Sequence, residues 1–265
     1  MSNDLERKLR QAEEENERLR NALAERDAFI RSTFGRYLTD EVLEEILADQ
    51  EGFRIGGERR SVTMLFMDLR HSTDLSEQMD PVSFLRMLNH FLEEMIEIIN
   101  AWQGNILDFV GDAIVAVFGA PRENSIASEC AVACAVAMQR RMPAVNEWNL
   151  DQGYPEIFMG IGIHTGEALL GDIGSQTRTK YDMIGRNVNL TSRIEGFTSG
   201  GQILVSAETL KAAGDRVVIN EAGSMWVRPK GIQTDIQLHD VIGFGTQRIP
   251  MGPVTPKKEK DAKQD

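Results

Sequence analysis

Asp68 closes the apolar run VTMLFMD, and Asp112 sits in a Gly-Asp turn between the runs LDFV and AIVAVF. A Gly-Asp pair between two apolar stretches reads as a β-hairpin, in which Asp112 need be no more than a turn residue. Asp68 alone would serve as a turn or helix cap. Together the two acids ask for more. Carboxylates at the ends of neighbouring strands repel each other unless a cation lies between them. Mg²⁺ suits such a place: it takes hard oxygen ligands, needs only one or two carboxylates, and completes its shell with phosphate oxygens. Such a site is half of a nucleotide site.

Further along, Asn189 and Arg193 stand four residues apart in KYDMIGRNVNLTSRIEG. On a helix that spacing puts both on one face, as a solvated polar stripe or as a pair aimed at a ligand. Lys230, in RPKGI, is a lone loop lysine with the same two readings. His164, in MGIGIHTGE, has no Cys or His at metal spacing and reads as structural. The Gly-rich GIG beside it lies within a strand rather than opening a helix, so it is not a dinucleotide fingerprint.

These residues need elements to hold them. The pattern predicts strands near 61–67, 105–110, 113–118, 157–164, 168–172, 202–205 and 235–241, with helices near 81–101, 123–142 and 186–196. Leu69 to Thr73 form a turn toward the helix that begins near Pro81. Strands interleaved with helices, one hairpin among them, indicate an α/β sandwich on one mixed sheet.

Ahead of this body, residues 1–30 are charged and lack Gly and Pro. Leu9, Asn16, Leu23 and Ile30 fall at heptad position a, and Leu5, Ala12, Leu19 and Arg26 at d. That seam predicts a dimerising coiled coil rather than a solvated single helix; a buried Asn at a favours a parallel pair, and Arg26 at d weakens the last turn. TDEVLEEIL (39–47) predicts a second helix capped by Thr39, and the glycines of EGFRIGGERR mark a linker. The chain thus divides into a coiled coil (1–30), a helix and linker (31–57), a catalytic-sized body (58–245) and a Pro- and Lys-rich tail (246–265) expected to be disordered.

With 265 residues, 42% of them hydrophobic, there is ample material for a core. The formal charge of −12 argues against a nucleic-acid partner. Cys130 and Cys134 lie on one helix face and read as buried apolar side chains in a reducing compartment. No segment looks like a signal peptide or a bilayer span, so a cytoplasmic protein without membrane insertion is expected.

Five separated stretches, VTMLFMDLRHST, GNILDFVGDAIVAVFGAP, MGIGIHTGEALLGDIGS, KYDMIGRNVNLTSRIEG and RPKGI, appear in the order found in the class III nucleotidyl cyclases. The chain resembles that adenylate and guanylate cyclase catalytic domain over roughly residues 58–242, and FGRYLTDEVLEEIL resembles the signal-transducing helix that precedes bacterial members. The resemblance implies a ferredoxin-like mixed sheet, and conversion of ATP, or GTP, to the 3′,5′-cyclic nucleotide and pyrophosphate. It implies that Asp68 and Asp112, with the Leu69 carbonyl, hold two Mg²⁺ (or Mn²⁺) ions. Asn189 would orient the ribose, Arg193 stabilise charge on the α-phosphoryl oxygens, and Lys230 bind the terminal phosphates. Homodimers of this family share their active sites between chains, which gives the coiled coil a purpose. An inactive nucleotide-binding scaffold is the reading of another class, disfavoured because the whole set is present. A cyclic-dinucleotide synthase is disfavoured because no GGDEF-like loop occurs.

The same resemblance implies that Asp108 and Asp182 read the base. An acid at position 108 leans toward guanine, and Asp182 toward the adenine 6-amino group. Both ionised acids against one purine would set acceptor against acceptor. A protonated carboxyl resolves the conflict, and Arg186, unusual in its turn, is a candidate partner for either acid. The balance tips toward ATP.

Overall fold

The computed structural model describes residues 2–34, 56–175, 178–232 and 234–250. Two compact units divide the chain, Met1–Phe53 and Arg54–Asp265. In the first, helix α1 (Ser2–Phe34) covers the predicted heptads, and its described side chains are exposed, Leu19 by 54%, Leu23 by 62% and Phe29 by 67%. The helix predicted at 39–47 lies outside the described residues.

The second unit holds one mixed sheet. Its strands are β1 (Gly56–Leu69), β2 (Asn105–Val110), β3 (Ala113–Phe118), β4 (Met159–Ser175), β5 (Arg178–Ile184), β6 (Ile203–Ser206), β7 (Val217–Val227), β8 (Ile236–Phe244) and β9 (Gln247–Arg248). They run in the order β2-β3-β1-β4-β6-β8-β7, with β5 on β4 and β9 on β8. Only β4 and β6 pair in parallel among the described strands. The helices are α2 (Ser72–Gln78), α3 (Pro81–Ala101), α4 (Ala127–Asp151), α5 (Arg186–Gly196) and α6 (Ala207–Ala213).

Several elements start and stop for local reasons. Asp80 accepts a hydrogen bond from the Ser83 N–H and Pro81 takes the first helical turn, so α3 begins at Pro81. Met87, Phe91, Met95 and Ile98 then recur at helical spacing and are buried. Helix α4 runs through Pro143 to Asp151, past the expected stop at 142. Buried Gln139 and Asn146 on that helix donate to the carbonyls of Met159 and Ile157 at 3.0 Å each, so tertiary bonds hold the turn that proline would weaken. Cys130 and Cys134 are buried and free, as expected of small apolar side chains.

The sheet's two faces are covered differently. Leu65, Met67 and Leu69 point into the cluster with α3 and α4, while Val62 and Met64 lie in a second cluster. By strand alternation Asp68 shares the second face. Helix α5 crosses that face at a spot cleared of side chains: a Cβ on Gly162 would lie 2.3 Å from the Glu195 backbone nitrogen. The glycines of MGIGIHTGE are seats for a helix.

Three further boundaries differ from expectation. β1 begins at Gly56, so the end of the expected linker is strand. The two strands expected at 157–164 and 168–172 are one, β4, long enough to pair with all fourteen residues of β1. Gln247 and Arg248, within the expected tail, pair with β8. Elements β5, β7, β9, α2 and α6 have no counterpart among the predicted elements.

Candidate active site

Three groups of functional side chains stand in the second unit. The first is at the end of β1. Asp68 precedes the last residue of that strand, and Asp112 follows Gly111, whose φ of 67° permits the tight turn between β2 and β3. The Leu69 N–H donates to Asp112 Oδ2 at 3.2 Å. Burial, then the charges of Glu195 and Asp112, push the Asp68 carboxyl up to about 7, against the pull of Arg70. This is the signature of excess negative charge in a small space. The set of hard oxygens, at pH values where Asp68 must otherwise hold a proton, fits a divalent cation.

A basic residue is also committed here. The Arg70 guanidinium is buried; it pairs with Asp68 Oδ2 at 3.3 Å and with Glu195 on α5. Sequence reasoning missed both Arg70 and Glu195. The i, i+2 spacing of Asp68 and Arg70 was the available signal; Glu195 is distant in sequence and offered none.

The second group centres on α5. Asn189 and Arg193 line one cavity of 720 Å³ with His164, Asn187 and Gly231. A Cβ on Gly231 would lie 3.7 Å from the Arg193 guanidinium, so the turn carrying Lys230 comes up against that arginine. Asp68 and Asp112 do not line this cavity. His164 is buried, with Nδ1 bonded to Ser206 Oγ at 2.8 Å and Nε2 to Asn187 Oδ1 at 3.3 Å. Burial pulls its pKa down, with the Asn187 bond opposing. It acts as the expected structural residue, tying β4 to β6 and to the first turn of α5.

The third group answers the conflict between Asp108 and Asp182. Lys180 Nζ lies 2.6 Å from Asp108 Oδ2 and 3.2 Å from Asp182 Oδ2. Burial lowers its pKa, but the two hydrogen bonds and charges outweigh this and the net shift is upward. Lys180 is the cation between the two acids; Arg186 lines a 620 Å³ hollow with Arg59, Glu167 and Ile184, and also the cavity of Asn189 and Arg193. Lys180 was legible in principle, since alternation on β5 puts it on the same face as Asp182, but β5 itself was missed.

The family model for the adenylate and guanylate cyclase catalytic domain matches residues 57–240. Adenylate cyclase 1 of Rhizobium meliloti is 31% identical over 223 residues, covering 82% of this chain and 32% of the relative. An adenylate cyclase of Anabaena cylindrica is 34% identical over 188 residues, 68% of this chain and 36% of its own length. The chain therefore spans about a third of the length of these curated relatives. Among solved structures, the guanylyl cyclase Cya2 is 43% identical with a TM-score of 0.71, covering 74% of this chain and 100% of its own. The adenylyl cyclase CyaB from P. aeruginosa is 31% identical with a TM-score of 0.69, covering 73% and 99%. With the family model matching residues 57–240 and relatives at 31% and 34% identity, the chain belongs to the adenylate and guanylate cyclase catalytic-domain family.

Proposed function

We propose that the protein cyclises a purine nucleoside triphosphate, ATP in the first reading, to the 3′,5′-cyclic nucleotide. The ribose 3′-oxygen attacks the α-phosphorus and pyrophosphate leaves. The observation that carries this reading is the Asp68–Asp112 pair, with Asp68 held near 7 by its surroundings. Asp68, Asp112 and the Leu69 carbonyl hold two Mg²⁺ or Mn²⁺ ions, which when bound lower the pKa of the 3′-hydroxyl and offset the triphosphate charge. Asn189 orients the ribose. Arg193 meets the charge that builds on the α-phosphoryl oxygens, and Lys230 holds the terminal phosphates.

The active form is a homodimer with composite clefts. The separation of Asp68 and Asp112 from the cavity of Asn189 and Arg193 supports it, since one chain then offers two half-sites and a symmetric pair completes both. Residues 1–30 act as the zipper that raises the local concentration of one body for the other. The exposed Leu19 and Leu23 on α1 support that role. Two buried free thiols and a nucleotide substrate suit the cytoplasm, and no described helix is long and apolar enough to cross a membrane.

Lys180 makes both purines readable. For adenine, Asp182 accepts from the 6-amino group while Lys180 donates to N1. For guanine, Asp108 accepts from N1–H and the 2-amino group while Lys180 donates to O6. The closer Lys180–Asp108 contact leaves Asp182 the freer acceptor, which favours ATP. The likeness to the guanylyl cyclase Cya2 supports GTP as the second reading. Incubating purified protein separately with ATP, GTP, CTP and UTP plus Mg²⁺ or Mn²⁺, and identifying products by mass, tests the proposal. No cyclic product from either purine would overturn it.

A further inference from the structure

We propose that Arg70 is a positioning residue that couples cation binding at Asp68 to the ordering of helix α5; this rests on the proposed metal role of Asp68 and Asp112. The guanidinium is 5% exposed and lies between the two elements. Its Nη2 donates to the Asp68 carbonyl at 3.2 Å, to Asp68 Oδ2 at 3.3 Å and to Glu195 Oε1. Nη1 reaches the Thr198 carbonyl at 3.5 Å, just past the end of α5, while Nε has no partner among the described residues.

Nη2 has two hydrogens for these three acceptors, so Asp68 and Glu195 compete for it. A cation on Asp68 occupies the carboxylate and repels the guanidinium, and the hydrogen bonds pass to Glu195. Glu195 is two residues beyond Arg193, on a helix seated directly against Gly162. Tightening its end fixes the helix that carries Asn189 and Arg193.

The consequence reaches across the dimer. In composite clefts, Asp68 of one chain serves one cleft and α5 of that chain serves the other. Loading one cleft therefore prepares the second, which is positive cooperativity with a physical carrier. A merely neutralising Arg70 would hold Asp68 and Glu195 together and transmit nothing.

The test uses the full chain, freed of metal and titrated with Mn²⁺. Electron paramagnetic resonance follows the free ion, and hydrogen exchange with mass spectrometry follows residues 186–196. Saturating Mn²⁺ should slow exchange in α5 about fivefold or more in the wild type. In Glu195→Gln, which keeps the side-chain shape, and in Arg70→Lys, which keeps the charge but loses the fork, Mn²⁺ should still bind while α5 no longer responds. Bound Mn²⁺ with unchanged wild-type exchange overturns the coupling, as does an undiminished response in Glu195→Gln. Failure to bind Mn²⁺, or binding that Asp112→Ala leaves intact, overturns the metal reading and the coupling with it. The resonance signal separates these outcomes from a failed relay.

Discussion

At the scale of single residues, the cost of function is concentrated in Asp68. Its carboxyl is raised from 3.8 to about 7, by burial first and by Glu195 and Asp112 next. The protonated form is thus the one the metal-free fold favours. That contribution to stability is complete below pH 3.8 and is lost as pH rises through about 7. Asp68→Asn removes the penalty and the proposed cation ligand together. Thermal unfolding of the metal-free variant at about pH 8 should show a Tm higher by about 2–4 °C, a gain that shrinks by about pH 5, while cyclase activity is abolished. A Tm that falls at the higher pH would contradict the charge balance described for this site. Lys180→Ala should lower kcat/KM for the preferred purine about 10–100-fold, because it leaves Asp108 and Asp182 facing each other and the base with no donor between them. Steady-state kinetics with ATP and GTP measure this; unchanged discrimination would remove Lys180 from base reading.

At the scale of elements, the active-site groups depend on close approach more than on propensity. Helix α5 reaches β4 only because Gly162 has no side chain. Gly162→Ala should therefore destabilise the protein by about 1–3 kcal/mol and reduce activity through displaced Asn189 and Arg193. Denaturant unfolding checks the first effect, and an unaltered midpoint would show that the helix can shift freely. The same elements explain what was legible beforehand. The caps and periodicity of α3, and the Gly turn before α5, are local signals, so those helices start where expected. The hairpin of β2 and β3 was equally plain. β5 and β7 were missed because RTKYDMI and VVINEAGSMWV interrupt apolar alternation with polar residues that pairing with β4 and β8 accommodates. Asp68 and Asp112 stood out as candidates by type and position, and Asn189 and Arg193 through the family resemblance, whereas Arg70–Glu195 and Lys180–Asp108 join residues far apart in the chain. Such pairs exist only once the sheet is assembled.

At the scale of the whole molecule, the proposed site is divided in one chain, since Asp68 and Asp112 do not line the cavity of Asn189 and Arg193. Shortening the zipper bears on assembly rather than chemistry. Removing residues 1–30 should leave activity intact at high protein concentration and reduce it at nanomolar concentration, as the local concentration provided by α1 is lost. Activity measured across a dilution series checks this, and identical curves for both forms would dismiss the zipper's role. The most direct test of the central claim is complementation between two inactive chains. Asp112→Ala loses the acid half-site and Arg193→Ala the α5 half-site. Mixed and allowed to exchange, half the dimers are heterodimers, and each should hold one intact cleft, restoring about a quarter of wild-type cyclic-nucleotide production. No recovery, in a mixture where heterodimers are demonstrated by mass spectrometry, would contradict a cleft shared between subunits.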